Sequence, residues 1–366
     1  MTKKISLPEI RAHIDNLDEQ IQELIRQRAE CALDVAASKR AEAELNGSEA
    51  TDFYRPEREA EVLRMVQARN NGPLDDETVG HLFRELMSAC LALQEPMKIA
   101  YLGPEGTFTQ AAALKHFGQS INTISHGAID EVFRDVEAGN AHYGVVPVEN
   151  STEGVVSHTL DMFMQSSLQI NGEVELRIHH NLLSIESSTD EISKIYSHQQ
   201  SLAQCREWLD ANLPLAERVA VSSNADAAKR AALEKGCAAI ASETAAGIYD
   251  LNIIANNIED EPDNTTRFLI IGRNKVEPSG NDKTTLLVSI VNKLAALHKL
   301  LEPFAANNVS LTRIESRPSH KGMWDYVFFI DIDGHRDDDA VKKALQDLEK
   351  ETAVLKVLGS YPKAVL

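Results

Sequence analysis

Apolar residues in the first hundred positions return every three or four places. Ile10, Ile14, Leu17, Ile21, Leu24/Ile25, Cys31 and Val35 trace a coiled-coil-like seam of about eight turns, which breaks at Asn46-Gly-Ser. Pro8 suits the first turn of that helix. A second helix is predicted from near Pro56, carrying Val62, Leu63 and Val66, and the segment from Ala41 to Thr51 before it reads as a long loop. After Asn70-Asn-Gly-Pro, Leu74-Asp-Asp-Glu caps a third helix with Val79, Leu82, Phe83, Leu86, Met87, Cys90 and Leu93, which ends before Pro96. One very long helix and two short ones cannot bury the whole seam. A homodimer, or a higher homo-oligomer, is the economical prediction.

The period changes over residues 97–275. Short β-rich runs (Ile99-Ala-Tyr-Leu, Tyr143-Gly-Val-Val, Ile195-Tyr, Val219-Ala-Val, Ala238-Ala-Ile) each lead into a small polar cluster and a helical stretch, which predicts α/β layers. Residues 176–196 offer a crossover between two lobes, and Asn274 to Asp282 reads as a linker. Residues 283–366 read β-α-β-β-α-β, with strands at Thr284–Val291, Ser310–Glu315, Tyr326–Ile332 and Val354–Leu358 and helices at Leu294–Ala306 and Asp338–Glu351, a ferredoxin-like order. Three domains are predicted: 1–96 all-α, 97–275 two-lobed α/β, and 283–366 βαββαβ.

Composition narrows the function. With 37 Lys+Arg against 56 Asp+Glu the formal charge is −19, which argues against nonspecific nucleic-acid binding, since that rests on neutralising phosphates. No window approaches a membrane span, and the N-terminus lacks the apolar run of a secretory signal. Cys31, Cys90, Cys205 and Cys237 stand far apart without zinc-like spacing. The expectation is a reduced, cytoplasmic protein with no metal and neither nucleic-acid nor membrane partners.

Cations stand where apolar residues should be. Arg28 continues the first seam from Leu24, and Lys39, 11 residues on, returns to almost the same face. Arg58 stands four before Val62, and Gln94 four after Cys90. Any one of these reads equally well as solvated or ion-paired, but four together on stripes expected to be buried point to a ligand. Arg11 lies 17 residues before Arg28, roughly 25 Å along the helix, so the two cannot serve one site on the same helix. Arg11 can reach the site of an antiparallel partner.

These residues carry a resemblance. R-x-x-I-D-x-L-D (Arg11 to Asp18), Arg28, Val35-x-x-x-Lys39 and F-Y-R-P-E-R-E (Phe53 to Glu59) resemble the all-helical type of chorismate mutase. The resemblance implies a site of Arg28, Lys39, Arg58, Glu59 and Gln94, with Arg11 from the partner chain. Chorismate is a dicarboxylate whose pericyclic rearrangement to prephenate needs no general base. The protein supplies a compact conformer and donors at the ether oxygen where negative charge develops. Lys39 and Gln94 are implied there, Arg11 and Arg28 at the carboxylates, and Glu59 at a substrate hydroxyl. Cys90 departs from the family's serine, and Arg55 stands where an acidic residue is expected.

The middle segment lines up helix N-termini: Gly103-Pro-Glu-Gly-Thr-Phe-Thr, Glu149-Asn-Ser-Thr-Glu-Gly, Ser197-His-Gln-Gln-Ser, Ser222-Ser-Asn and Ser242-Glu-Thr. Each alone is an ordinary cap. Gathered at the strand ends of an open α/β sheet they favour an anion. No Walker or dinucleotide signature is present, so no nucleotide is indicated. In Asn264-Thr-Thr-Arg-Phe-Leu-Ile-Ile-Gly a hydroxyl and an arginine enter an apolar strand; an edge-strand arginine paired with an acid explains that string equally.

Taken together, G-P-E-G-T-F, V-V-P-V-E-N-S-T-E-G, Y-S-H-Q-Q-S-L-A-Q-C and N-T-T-R-F resemble prephenate dehydratase. That family has two α/β lobes about a cleft, similar to periplasmic binding proteins, and converts prephenate to phenylpyruvate, water and carbon dioxide. No cofactor is implied, because loss of CO2 and aromatisation drive the reaction. By resemblance Thr266 handles the leaving hydroxyl and Arg267 is an anchor or clamp. Asn150, Ser151, Thr152 and Ser197 bind carboxylates and position the ring, with Glu149 orienting them. His198 and Gln200 read equally as caps.

Residues 283–361 resemble the ACT amino-acid-binding domain through Leu311-Thr-Arg-Ile-Glu-Ser-Arg-Pro. This implies phenylalanine bound between paired domains, with Leu297, Glu315, Ser316 and Arg317 at the effector site, and feedback inhibition. Where the family has Lys-Pro-Gly-Ala-Leu, this chain has Lys293-Leu-Ala-Ala-Leu. Ala295 for glycine, which permits close backbone approach, predicts weaker inhibition. The function expected is thus phenylalanine synthesis from chorismate through prephenate. The alternatives are arogenate as the dehydratase substrate, or an aromatic-metabolite sensor with inactive sites.

Overall fold

The computed structural model describes residues 6–46, 54–290, 294–318 and 326–365. The expected break at Gly47-Ser48, as well as Phe53, Val291 and Lys293, lies outside them. The first domain opens on a 40-residue helix, α1 (Leu7–Asn46). Glu9 reaches back over its start, accepting from the Ser6 backbone N–H and hydroxyl at Oε2 at 2.8 and 2.7 Å. The helix runs through Ala41–Asn46, where the sequence reading expects loop. Ala, Glu and Leu are strong helix formers, and Ala43 is buried. α2 (Pro56–Arg69) and α3 (Asp76–Ala92) follow, with Asp75 capping α3 through Thr78 N at 2.6 Å.

The second domain is two sheets joined by two crossings. In the first lobe the elements run β1 (Lys98–Leu102), α4 (Phe108–Phe117), β2 (Asn122–His126), α5 (Ile129–Glu137), β3 (Tyr143–Asn150), β4 (Gly154–Val155), α6 (Ser157–Phe163) and β5 (Gln169–Arg177). Residues 178–180 then cross to the second lobe. There β6 (Asn181–Ser184), β7 (Lys194–His198), α7 (Gln199–Gln204), α8 (Arg206–Asn212), β8 (Glu217–Val221), α9 (Asn224–Ala231), β9 (Cys237–Ala241), α10 (Glu243–Tyr249) and β10 (Asn252–Ala255) form a sheet ordered β10-β6-β9-β7-β8. The chain returns to the first lobe as β11 (Thr265–Gly272). That strand inserts antiparallel between β3 and β5 and completes the order β2-β1-β3-β11-β5, with β4 paired to β3. The crossings are tied together: Glu259 accepts from the His180 backbone N–H at 2.9 Å and bonds His179 Nδ1 at 2.8 Å.

The third domain is β12 (Asp282–Ser289), α11 (Ala296–Ala306), β13 (Leu311–Pro318), β14 (Tyr326–Asp333), α12 (Asp339–Glu351) and β15 (Val354–Pro362), an antiparallel sheet ordered β13-β14-β12-β15. One face buries Val288, Ile330 and Ile332 under the two helices. The other face lies on the first lobe: Leu287, Val327, Phe329, Leu358 and Tyr361 share one hydrophobic cluster with Ile170, Leu269 and Ile271. β15 lies so close to β5 that a Cβ on Gly359 would collide with the backbone of Ile170. The first domain joins this block through α2, which packs on β15. Arg64 donates there to the Ser279 carbonyl oxygen and hydroxyl, both at 2.8 Å.

Candidate active sites

α1 and α3 converge near their C-terminal ends, where Arg40 donates to the Gln94 carbonyl oxygen at 2.9 Å. Lys39 and Gln94, both half-buried, belong to this junction. Gln94 Oε1 is buried without a hydrogen-bond partner among the described residues. Arg28 lies half-buried on the same face of α1, about 16 Å away. Cys90 is buried.

The other expected groups do not join them within one chain. Arg11 is exposed. Arg58 does not continue a buried stripe: its side chain is 63% exposed and bonds Glu61 at 2.8 Å. The reason is that α2 buries Pro56, Glu57, Ala60 and Leu63, which turns Arg58 outward. Glu59 faces the seam with the second domain, with Arg84 Nε at 3.4 Å, and lines a small cavity with Tyr54, His116 and Asn171. Burial pushes the Glu59 carboxyl up to about 7, although Arg84 pulls it back.

In the α/β domain four of the five expected N-caps form, whereas Glu149-Asn-Ser-Thr-Glu-Gly turns into the short strand β4 instead of opening a helix. Thr107, His198, Ser223 and Ser242 cap α4, α7, α9 and α10. His198 is the cap itself, with its Nδ1 accepting from Gln200 N at 3.4 Å. The lobes touch at the Glu105–Gly106 turn, whose carbonyls accept from Tyr249 Oη at 3.1 Å and Ser242 Oγ at 2.9 Å.

Asn150 and Thr266 stand opposite each other on β3 and β11. Asn150 Oδ1 accepts from the backbone N–H groups of Thr152 and Glu153, each at 3.0 Å. Those two donors fix the amide's orientation. Its Nδ2 therefore donates to Thr266 Oγ1 and Asn264 Oδ1, both at 2.7 Å. Thr266 Oγ1 thus receives a hydrogen bond, and among the described residues its own proton has no acceptor. Ser151 Oγ accepts from Thr265 N at 2.9 Å, which ties the turn to β11, and Thr152 is exposed beside it.

Two expected ligand groups are elsewhere. Ser197 is fully buried, donating to Asn224 Oδ1 at 3.0 Å and sitting 3.3 Å from the Ile240 carbonyl oxygen. Its hydroxyl secures the second lobe and does not face the cleft. Arg267 points away from Thr266 because adjacent strand residues face opposite sides. It bonds Glu173 at 2.8 Å, Asp331 at 2.7 Å and Tyr361 Oη at 3.1 Å. Two groups were not singled out from sequence: Asn264, almost fully buried, and Gln204, whose Oε1 bonds His180 Nε2 at 2.8 Å and approaches Asn264 at 3.5 Å. Both lie inside the quoted motifs. Among the described residues no group of three or more His, Cys, Asp or Glu could hold a metal, and no helix is long and apolar enough to cross a membrane.

The family model for chorismate mutase type II matches residues 10–95, that for prephenate dehydratase residues 99–276, and that for the ACT domain residues 284–350. A bifunctional chorismate mutase/prephenate dehydratase of Pseudomonas aeruginosa is 59% identical over 367 residues, covering 100% of both chains. The chain belongs to this family. A bifunctional relative from Neisseria gonorrhoeae is 51% identical over 97% of each chain. Among solved structures, a prephenate dehydratase from Arthrobacter aurescens in complex with L-Phe aligns with a TM-score of 0.66 and 36% identity, over 73% of this chain and 90% of that one. The chorismate mutase and prephenate dehydratase activities follow from the family.

In the ACT domain the expected effector residues divide between the two faces of the sheet. Leu297 lines an open cavity of about 310 Å³ with Ile290, Ala295, His298, Tyr326 and Phe328. Ser316 pairs with Phe328 across β13 and β14 and shares that side. Glu315 and Arg317 lie on the opposite face. Arg317 is held there by Asp161, at 2.9 and 3.0 Å, and by Ser157 Oγ at 2.6 Å. Ala295 has φ +60°, the left-handed conformation that glycine adopts without penalty.

Proposed function

We propose that the dehydratase step is carried by Thr266, positioned by Asn150. The supporting observation is the amide-to-hydroxyl hydrogen bond, which makes Thr266 Oγ1 an acceptor and leaves its proton without a partner among the described residues. In prephenate the bond to the ring carboxylate breaks and its electron pair enters the ring. The C4 hydroxyl then leaves with a proton, giving CO2, water and phenylpyruvate. Threonine is a poor acid, so it donates a hydrogen bond to the departing oxygen or relays the proton. Ser151 and Thr152 offer a hydroxyl and a free turn for the carboxylates.

The mutase step, chorismate to prephenate, uses Lys39 and Gln94 at the ether oxygen and Arg28 at a carboxylate. A second chain's Arg11 completes the site, whereas Arg58 and Glu59 do not meet Lys39 and Gln94 within one chain and are left out of it. Exposed Ile10, Ile14, Leu17, Ile21 and Leu24 on α1 support a homodimer with shared mutase sites. Domains at 1–96, 97–275 and 283–366 in a cytoplasmic chain fit this reading. Phenylalanine is the proposed effector, in the groove of Leu297 and Phe328. Exposed Leu294, Leu297 and Tyr326 around that groove support its closure by a second copy.

The test is the purified protein with chorismate alone. Phenylpyruvate is expected without added cofactor. Thr266→Ala should accumulate prephenate at the wild-type mutase rate, and undiminished dehydration in that variant would remove Thr266 from the mechanism.

A further inference from the structure

The Asn150–Thr266 hydrogen bond is the end of a longer polar line. The second Asn150 Nδ2 proton goes to Asn264 Oδ1 at 2.7 Å, so the Asn264 amide turns its own N–H groups the other way. There it meets Gln204 Oε1 at 3.5 Å. Gln204 shows this oxygen because its Nε2 faces Glu153 Oε1, also at 3.5 Å, and because His180 Nε2 lies 2.8 Å from Oε1. His180 is buried to 1% exposure. An amide oxygen only accepts, so the imidazole carries its proton on Nε2. Its Nδ1 is buried with no hydrogen-bond partner among the described residues, and burial lowers the ring's pKa. His180 is therefore neutral, with one N–H to give.

That donor is held in place independently of the line. The His180 backbone N–H donates to Glu259 at 2.9 Å and its carbonyl oxygen accepts from Ile258 N at 2.8 Å, so the second crossing grips the first. The ring packs edge-on against Phe108, the first residue of α4, with centroids 5.7 Å apart. The Gln204 backbone is anchored too, its carbonyl oxygen accepting from Asp260 N at 2.7 Å. What remains free is the Gln204 amide, whose two ends fit the same space. The His180 proton decides which end faces Asn264. With the amide reversed, N–H groups of Gln204 and Asn264 would oppose each other, and Asn264 Oδ1 would turn away from Asn150. We propose that His180 is a positioning residue for prephenate dehydration, acting through Gln204 and Asn264 on the Asn150–Thr266 hydrogen bond. The proposal rests on Asn150 and Thr266 forming the dehydratase site.

The experiment uses the full-length enzyme and compares His180→Gln, His180→Asn and His180→Leu, with mutase turnover and thermal unfolding as controls. A glutamine amide reaches the place of the imidazole Nε2, whereas an asparagine amide reaches only that of Nδ1. A misplacement of about 1 Å costs on the order of 100-fold, so kcat for dehydration should fall about ten- to 100-fold in His180→Asn and His180→Leu. KM for prephenate and mutase turnover should hold within about twofold. His180→Gln should recover most of the loss. Because the effect passes through Gln204, His180→Leu combined with Gln204→Leu should be no slower than Gln204→Leu alone. If His180→Leu does not fold, the glutamine and asparagine variants carry the test. A folded His180→Asn with wild-type kcat, equal losses in the asparagine and glutamine variants, a loss confined to KM, or additive losses in the double variant would overturn the proposal. Thr266→Ala runs in parallel: if it dehydrates normally the site assignment fails, whereas an inactive Thr266→Ala beside a normal His180→Asn overturns only the positioning role.

Discussion

A threonine hydroxyl matters to a leaving group only through where its proton points. In this enzyme two backbone N–H groups hold the Asn150 carbonyl, so its amide must donate to Thr266. Replacing that donor with an acceptor should turn the threonine proton inward. Asn150→Asp is therefore expected to lower dehydration by about 100-fold while leaving mutase turnover intact, measured as phenylpyruvate formed from prephenate. Thr266→Ser keeps the proton and should retain far more activity than the isosteric Thr266→Val. Glu59 makes a pH prediction. Its folded pKa is raised to about 7 from 4.5, first by burial, so folding favours the neutral acid. The folded state binds more protons than the unfolded one between those values, and stability falls as pH rises through that window. Glu59→Gln should flatten the decline, raising the urea midpoint more at about pH 8 than at about pH 5. At this scale the meeting of Asn150, Ser151, Thr152 and Thr266 at one turn was legible, because two motifs each bring a small polar cluster to a strand end. Ser197 and Arg267 lie away from that turn, Arg267 in bonds that suit the clamp alternative and not the anchor, since a motif does not say which face of the strand each member takes.

The helices of the first and third domains and strands β1, β3, β7, β8, β9 and β11 were legible, because the 3.6 and 2.0 periods are strict where one face is buried, whereas β2, β4, β5, β6 and β10 were not, and β6 lies inside the stretch 176–196 read as a crossover. The exceptions have local causes. Ala41–Asn46 stays helical through propensity and a buried Ala43, where the reading followed the coming Gly-Ser. On α2 the apolar Val62–Val66 stripe drew the eye, whereas the packed face is Pro56, Ala60 and Leu63 against a strand about 300 residues later in the chain. That outward turn of Arg58, and the exposed seam along α1, are what a second chain would cover. If Arg11 serves the partner's site, two inactive variants should complement each other. Random mixing of Arg11→Ala and Lys39→Ala chains after unfolding and refolding makes half the dimers mixed, each with one intact site, so about a quarter of wild-type mutase activity should return. Sites built within one chain would return none, and the measurement is chorismate loss before and after mixing.

At the scale of the molecule, the ACT domain is built into the enzyme. Its sheet shares one hydrophobic cluster with the first dehydratase lobe, and Arg317, expected at the effector, instead holds Asp161. Nothing in local sequence pattern announces this, because the partners lie 64 to 160 residues apart and each side reads on its own as a self-sufficient sheet face. The closest approach is at Gly359. Its absent side chain lets β15 rest on β5, and an added Cβ would sit 2.8 Å from Ile170 N and 2.9 Å from its carbonyl carbon. Backbone hydrogen-bonded into a sheet cannot swing aside as a flexible side chain would, so the two sheets must separate. Overpacking of this kind costs about 1–3 kcal/mol, which for a chain of this size lowers Tm by about 1–4 °C. Gly359→Ala should show that loss in calorimetry. A Gly359→Ala enzyme with lowered Tm and undiminished dehydration would mean that the sheet contact holds the domains together without shaping the site.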